Sequence, residues 1–333
     1  MKRIICFAIA LILTVVGASA LTKKERVNDK EAVTTAEKKE STTELSGQIN
    51  SSTQIDSSQG GYPFRKNDMI VVGEKDKSTA SGYTPLMKIT YIPTENTSYY
   101  SEEKKSHSHG PASGGKAHHT VVDFQKEFDK FGAVTLDTND EKVLYLTFDC
   151  GYEHDNLTAR VLDTLKEKQV PAAFFCTLDH IKAEPGLITR MIKEGHIVGN
   201  HSTTHPSFAD ISRSEMAEEI EETENYLREN YGYCARFFRF PKGEYTQSSL
   251  DLVASLGYMS VFWSVAYDDW DTNNTHGKDY AVEKVMSRLH NGAIILLHSV
   301  SRDNAEALGE IIDKARAQGY EFRSLTSLSE KVL

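Results

Sequence analysis

The sequence predicts an α/β fold, a distorted or incomplete (β/α) barrel of seven or so parallel strands preceded by a poorly structured N-terminal region. Two observations point there. From about residue 123 to the end, short apolar runs rich in β-branched and aromatic residues alternate with helix-spaced amphipathic segments, an order that builds a parallel sheet with helices outside. Asp149, His201, Arg239, Asp269 and His298 each fall at or just past the carboxyl end of such a run, where folds of this kind collect their ligands. An open doubly wound sheet is the structural alternative.

The elements follow in order. Val143 to Phe148 reads as the first strand, and Asn156 to Lys168 as a helix, because Leu157, Val161, Leu162 and Leu165 keep the spacing of one apolar face. Pro171 to Cys176 is a second strand, Leu187 to Glu194 a helix and His196 to Gly199 a third strand. Ser212 or Ser214 caps a long charged helix running to Arg228, since Glu215 stands three residues after Ser212 as a capping box requires. Arg236 to Phe240, Met259 to Val265, Ala293 to Leu297 and Tyr320 to Arg323 are the remaining strands. The helices between them cover Ser248 to Leu256, Asp279 to Leu289 and Asn304 to Ala317.

Upstream the texture differs. Residues 1–20 carry a Lys2-Arg3 head, an apolar stretch from Ile4 to Val16 and small residues at Ala18 and Ala20, the pattern of a cleaved signal peptide. If uncleaved, the leader would serve as an N-terminal membrane anchor; no later segment is apolar enough for a span. Residues 21–60 are polar and poor in aromatics, a low-complexity tether that cannot bury enough apolar area to offset the entropy of ordering. Residues 61–122 form an N-terminal region of unassigned role, flexible in part; Lys104 to His119 is Ser/Gly/Lys/His-rich and reads as a solvated linker, although His107, His109, His118 and His119 could bind stray metal. Residues 123–333 are dense enough for one catalytic domain with a sizeable core.

Charge and cysteine usage exclude some functions. Forty-eight acidic residues face 38 basic ones, a net charge of −10 that reaches −12 once Lys2 and Arg3 leave with the leader. Such a surface disfavours nucleic acid. Cys6 lies in the leader, and the remaining Cys150, Cys176 and Cys234 are an odd number, a poor disulfide framework. The chain therefore reads as an exported protein, expected to be a monomer.

The candidate chemistry begins with His201 and His205, four residues apart in a stretch that Gly199 and Pro206 mark as a loop or single turn. Two imidazoles at that spacing can share one divalent cation; zinc suits them, and manganese or cobalt is compatible. Asp149 ends an apolar strand and precedes Gly151, so it could either ligate the cation or act as general base toward a water activated by it. His298 follows Ile294 to Leu297 and is a candidate acid for a leaving nitrogen, with Asp269 available to hold it protonated. Arg239 could pin Asp149 by a charged contact, and Pro241 and Gly243 fix the turn after it. Trp270 could wall the pocket or stack on a sugar face, a plain core tryptophan being the other reading.

Taken together, Thr147-Phe-Asp149-Cys150-Gly151-Tyr152-Glu153, His201-Ser-Thr-Thr-His205-Pro206, Arg239-Phe-Pro241-Lys242-Gly243, Asp269-Trp270 and Leu296-Leu297-His298 resemble the blocks of the polysaccharide deacetylases of the NodB-homology type, carbohydrate esterase family 4. The run Ile295 to Ala305 and the Phe148-Asp-Cys-Gly-Tyr-Glu block are most similar to the muramic-acid/delta-lactam peptidoglycan branch, which includes sporulation deacetylases. The resemblance implies one divalent metal on His201 and His205, Asp149 as base oriented by Arg239, and His298 as acid supported by Asp269. It also implies an oxyanion facing the Lys242 backbone amide and an acetyl pocket bordered by Leu296 and Trp270. Two departures stand out: Cys150 replaces the family's second aspartate, so either its thiolate or water would complete the metal set, and Ala266 stands where many members carry an acid.

The implied reaction is hydrolysis of an N-acetyl group on peptidoglycan, releasing acetate, with N-acetylmuramic acid as the residue attacked. Arg302 could then meet a lactyl or peptide carboxylate, or simply open a helix in solvent. The implied partner is the peptidoglycan glycan strand, met in the cell wall, outside the cell or in the spore envelope. N-acetylglucosamine polymers and O-acetyl xylan are alternative substrates for the same machinery. A non-catalytic cell-wall-binding protein that kept the fold is the alternative of another class.

Overall fold

The computed structural model describes residues 83, 85–86, 88–91 and 99–328. The leader and tether expected over 1–60 lie outside the described residues, as does most of the region expected to be flexible before residue 99.

The seven expected strands are all present. In chain order the elements are β1 (Lys105–Ser106), α1 (His119–Phe128), β2 (Val143–Cys150), α2 (Leu157–Lys168), β3 (Ala172–Cys176), α3 (Leu178–Ala183), α4 (Pro185–Lys193), β4 (Ile197–Asn200), α5 (Arg213–Tyr231), β5 (Phe237–Phe238), β6 (Glu244–Tyr245), α6 (Gln247–Ser255), β7 (Met259–Ser260), α7 (Lys278–Met286), β8 (Ala293–His298), α8 (Arg302–Ala317) and β9 (Glu321–Phe322). Strands β7, β5, β4, β3, β2 and β8 lie side by side in that order, with β9 paired to β2. Every ladder in this sheet is parallel.

The sheet curls until its two edges approach. Beyond β7 the chain makes a parallel bridge from Val265 to Ile295 of β8, and the Leu296 amide donates to the Val265 carbonyl at 2.9 Å. This is the distorted, incomplete barrel that the sequence predicts. The fourth and fifth strands are shorter than their apolar runs, because β5 and β7 pair with each other over two residues only before the chain leaves the ladder.

The twofold alternation of side chains along the strands divides the core in two. Leu144, Leu146 and Phe148 of β2 and Phe174 of β3 pack outward with Val161, Leu162 and Leu165 of α2 and Leu308 of α8. Tyr145, Ala173, Phe175, Ile197, Phe237 and Ile294 fill the barrel interior. Each fully buried Leu or Phe contributes on the order of 1.5–3 kcal/mol of apolar burial, so the helix-facing layer is the main source of stability. On β4, Gly199 is required by close approach: a Cβ there would sit 2.5 Å from the Phe175 ring.

The solvated-linker reading of residues 104–119 is corrected. β1 pairs antiparallel with β6, and His107 is only 7% exposed, surrounded by Phe124, Phe128, Phe262 and Trp263. Its polar flanks concealed a side chain whose apolar ring edges and one anchored nitrogen suit a buried slot. His118 instead caps α1, accepting from the Thr120 amide. The short helix α3 also escaped the periodicity argument, since six residues are too few to display a face.

Helix α5 starts as expected. Ser212 accepts from the Glu215 amide, and Glu215 accepts from the Ser212 amide at 2.7 Å. Ser212→Ala should therefore cost about 1 kcal/mol, seen as a thermal midpoint about 2–4 °C lower; an unchanged midpoint would show that the cap contributes nothing here.

Candidate active site

At the carboxyl ends of the strands opens a cavity of about 1110 Å³. Asp149, His201, His205 and His298 all border it. Strand β2 delivers Asp149, the loop after β4 delivers both histidines, and β8 ends on His298.

Asp149 is 9% exposed and held by Arg239, whose Nη1 donates to Oδ1 at 2.8 Å. Arg239 itself is wholly buried, donating also to Thr147 Oγ1 at 2.9 Å and to the carbonyls of Val261 and Phe262 at 2.9 and 3.2 Å. Its guanidinium lies 4.2 Å from the Phe175 ring centroid, in cation–π contact. Burial alone would raise the Asp149 carboxyl, but the charge and hydrogen bond of Arg239, with the charge of His298, outweigh it and hold the carboxyl below its usual range. The second oxygen, Oδ2, lies 3.6 Å from His201 Nε2.

The His201 ring is oriented from behind. Its Nδ1 meets the Arg239 carbonyl at 2.8 Å, so Nδ1 carries the proton and Nε2 presents its lone pair toward Asp149. The His205 ring centroid lies 4.8 Å away. Ser202 and His205 both adopt left-handed backbone, φ 68° and 60°, and the Ser202 hydroxyl accepts from the His205 amide at 3.0 Å. A local strain of this kind persists where the surroundings enforce it, here by folding the loop back so that two imidazoles share one corner. Burial pushes His205 down to about 4 and lowers His201, leaving both rings neutral at ordinary pH and chemically fit to hold a divalent cation.

His298 forms a second anchored group. Asp269 Oδ1 meets its Nδ1 at 2.7 Å and Asp269 Oδ2 accepts from its amide at 2.8 Å. Asn304 donates to Asp269 and is itself held by the Tyr267 hydroxyl. Burial tends to lower the His298 pKa, yet Asp269, with help from Asp149, raises it above the ordinary histidine value.

The turn after Arg239 runs Pro241–Gly243, with Lys242 at φ 60° and Gly243 at φ 65°. Side-chain space decides the glycine: a Cβ on Gly243 would stand 2.7 Å from Trp263. Lys242 and Gly243 border the cavity, as do Leu296 and Trp270. Trp270 is 61% exposed, which excludes the core reading and leaves its face available to a ligand.

Two candidates lie elsewhere. Cys150 is fully buried and faces the helix layer, its Sγ 3.2 Å from Ser299 Oγ; alternation along β2 turns it away from its neighbour Asp149. Among the described residues, Cys150, Cys176 and His180 bring three potential ligand atoms within 4.8 Å of one another, a group able to hold a metal ion whose identity is open. Arg302 starts α8, lies outside the cavity wall and donates to Asp155 at 2.7 Å.

Other residues border the cavity in roles that the sequence did not assign to them. His109 contacts the Ala266 carbonyl through Nε2 at 3.0 Å and accepts from Trp263 Nε1 at 3.2 Å, while Lys284 and Arg288 of the α7 region line the far wall. Asn304 lies in the run that carries the resemblance. The histidines of 107–109 were visible only as residue types, with nothing in their polar surroundings to indicate burial.

Residues 137–261 match the polysaccharide deacetylase family. The chain is 40% identical over 226 residues to the peptidoglycan-N-acetylmuramic acid deacetylase PdaA of Bacillus subtilis, spanning 68% of this chain and 83% of that protein. The chain belongs to the polysaccharide deacetylase family. The solved structure of PdaA, a family 4 carbohydrate esterase, superposes with a TM-score of 0.65 at 37% identity, covering 69% of this chain and 99% of PdaA. A family 4 carbohydrate esterase from Bacillus anthracis gives 0.57 at 37% identity, covering 69% and 98%. The family also contains a pseudoenzyme from Bacillus anthracis, 26% identical with a TM-score of 0.55 over 59% of this chain and 68% of that one. Activity must therefore be argued from the site.

Arg239→Met should leave Asp149 buried without its counterion and cost about 3–5 kcal/mol near neutral pH. In the parent chain the depressed Asp149 pKa contributes stability above the ordinary carboxyl range, lost as pH falls through the folded value; the variant has no such contribution. Urea unfolding of chelator-treated protein should show the two converging as pH is lowered, and a difference independent of pH would refute the ion pair as its source.

Among the described residues, no helix is long and apolar enough to cross a membrane.

Proposed function

We propose that this chain is a metal-dependent peptidoglycan N-deacetylase that hydrolyses the acetamide of N-acetylmuramic acid to acetate and a free amine. The observation that carries the reading is the arrangement of Asp149: one oxygen locked on Arg239, the other 3.6 Å from His201 Nε2, in the cavity that His298 also borders. His201 and His205 would hold one divalent ion, most naturally zinc, with manganese or cobalt as substitutes. When bound, that ion would polarise the acetyl carbonyl and lower the pKa of water.

The remaining steps belong to the chain. Asp149 Oδ2 takes a proton from water as its oxygen attacks the carbonyl carbon, and the Arg239 contact keeps the carboxylate ionised and aimed. The oxyanion that develops faces the Lys242 backbone amide. The C–N bond breaks as His298, kept charged by Asp269, gives its proton from Nε2 to the departing nitrogen. Leu296 and Trp270 border the space for the acetyl methyl and the sugar face.

The muramic residue is favoured over glucosamine because its lactyl group offers a carboxylate once the peptide stem is removed, or carries the carboxylates of the stem itself, and Lys242, Lys284 and Arg288 give the cavity wall cationic groups. This assigns to Lys284 and Arg288 the carboxylate contact that was one of two readings of Arg302; paired with Asp155 and exposed at the start of α8, Arg302 takes the other, a solvated helix opening. The identity with PdaA supports the same substrate. Deacetylation of glucosamine polymers or of O-acetyl xylan would use the same base and acid without employing those cations. Residues 1–20 would direct the chain out of the cell, where 21–60 would tether the catalytic domain of 123–333 in the wall or spore envelope as a monomer.

Purified mature protein incubated with muropeptides should release acetate, with the mass loss of one acetyl group on muramic residues; loss confined to glucosamine would overturn the substrate assignment. Asp149→Asn leaves Arg239 without its counterion, so the variant is assayed at a temperature where circular dichroism shows it folded; there kcat should be reduced by about 10²–10⁴, and full activity would remove the base.

The pH profile gives a separate check. Because Asp149 is depressed and His298 raised, kcat/KM should hold into mild acid and fall on the alkaline side as His298 loses its proton. Asp269→Asn should move the alkaline limb to lower pH; an unmoved limb would exclude His298 as the acid.

A further inference from the structure

Behind the catalytic mouth lies a second group of metal-competent side chains that the deacetylation chemistry does not use. The parallel register of β2 and β3 sets Cys150 beside Cys176, and both residues lie in the core layer between the sheet and its helices. The chain turns directly from β3 into α3, where Thr177 accepts from the His180 amide and brings that imidazole over the two sulfurs. Their ligand atoms lie within 4.8 Å of one another. Cys150 and Cys176 have no solvent exposure, and His180 has 1%.

An independent observation points to a ligand at this place. Both ring nitrogens of His180 are buried without a hydrogen-bond partner. A neutral imidazole has one donor and one acceptor, and leaving both unmade in the interior is costly unless something else satisfies them. Nearby, Glu153 accepts from the amides of His154 and Thr158 through Oε1 at 3.0 and 3.4 Å, while its Oε2 is buried and without a partner. The Glu153 charge acts on His180 as well. Burial holds His180 down at about 4, the neutral form that a metal requires.

We propose that Cys150, Cys176 and His180 form a second, buried metal site, selective for a thiophilic ion such as zinc or copper(I), that braces the carboxyl ends of β2 and β3 directly behind Asp149. Two sulfur donors and one imidazole favour such ions over magnesium, calcium or manganese. Binding displaces the protons of both thiols to solvent and gives one ring nitrogen of His180 a partner, leaving its other N–H to an acceptor such as the unpartnered Glu153 Oε2. The site is distinct from the pair His201 and His205, because alternation along β2 sends Cys150 to the opposite face from Asp149. The proposal does not rest on the substrate assignment. It gives the cysteine that departs from the family pattern a structural task of its own.

The test uses the mature chain loaded with zinc or, for spectroscopy, with cobalt(II), followed by removal of free ion. Elemental analysis should give about two metal equivalents per chain, falling to about one in Cys176→Ser and, at the other site, in His201→Ala. A thiolate-to-cobalt charge-transfer band in the near ultraviolet should be present in the parent and in His201→Ala and absent in Cys176→Ser. Should Cys176→Ser fail to fold, His180→Gln keeps both thiols and should lose the same equivalent. No charge-transfer band in the parent, or equal metal content in the parent and the folded variants of this site, would overturn the proposal. So would a Cys150–Cys176 disulfide in the secreted protein, detected as an intact mass two hydrogens lighter. Failure of His201→Ala alone to lose metal would count against the deacetylase site and leave this one standing.

Discussion

The geometry of the mouth depends on one buried cation. Arg239 sits with no solvent exposure, and its side chain ties together Thr147 and Asp149 of β2 with the carbonyls of Val261 and Phe262 beyond β7, while its own carbonyl fixes His201 after β4. A charge placed so deep is tolerated only because Asp149 neutralises it and every direction of the guanidinium meets an acceptor or a ring face. The same contacts that solvate the cation therefore determine where the Asp149 carboxylate points, how acidic it is and which nitrogen of His201 faces it. Function and fold share the constraint: relieving it by an apolar replacement would remove the aim of the carboxylate along with the charge.

The alternation of strands and helices was legible because it depends on period and burial, which the sequence carries locally. So was the capping box at Ser212, whose two partners are three residues apart. The clustering of Asp149, His201, Arg239 and His298 followed from their place at strand ends, a topological argument that needs no coordinates. What could not be read was anything set by long-range packing: the Asn304 and Tyr267 contacts that hold Asp269, the burial of His107, and the cationic wall from Lys284 and Arg288. Arg302 illustrates the limit. Its chemistry suited a carboxylate, but its position at the first turn of α8 directs it to Asp155 instead.

Cys150 shows how a single residue can satisfy a motif in sequence and leave it in space. Adjacent strand positions face opposite sides of the sheet, so Asp149 and its neighbour can meet at one ion only if the strand has already ended between them. Here β2 remains paired through Cys150, which stays in register with Cys176. Continued pairing draws the thiol into the helix-facing layer, against Ser299, rather than into the mouth. Replacing an acid by a cysteine is consistent with that outcome, since a thiol enters an apolar layer at much lower cost than a carboxylate.

The segment 105–109 joins these arguments, although its composition resembles a linker. β1 pairs with β6 immediately after the Pro241–Gly243 turn, and the His107 amide donates to the Gly243 carbonyl at 2.8 Å. His107 and His109 then contact the carbonyls of Trp263 and Ala266 at 2.7 and 3.0 Å, one on each side of the stretch that leads to Asp269. A strand-like strap from outside the barrel thus braces both the turn that presents the Lys242 amide and the loop that carries the partner of His298. Ser264 and Val265 pair with Ile294 of β8, and the strap supplies partners for the further carbonyls of Gly243, Trp263 and Ala266. The placement of the Lys242 turn and of the stretch leading to Asp269 is in this way supported from residues 105–109, which precede the barrel in the chain yet pack against its mouth.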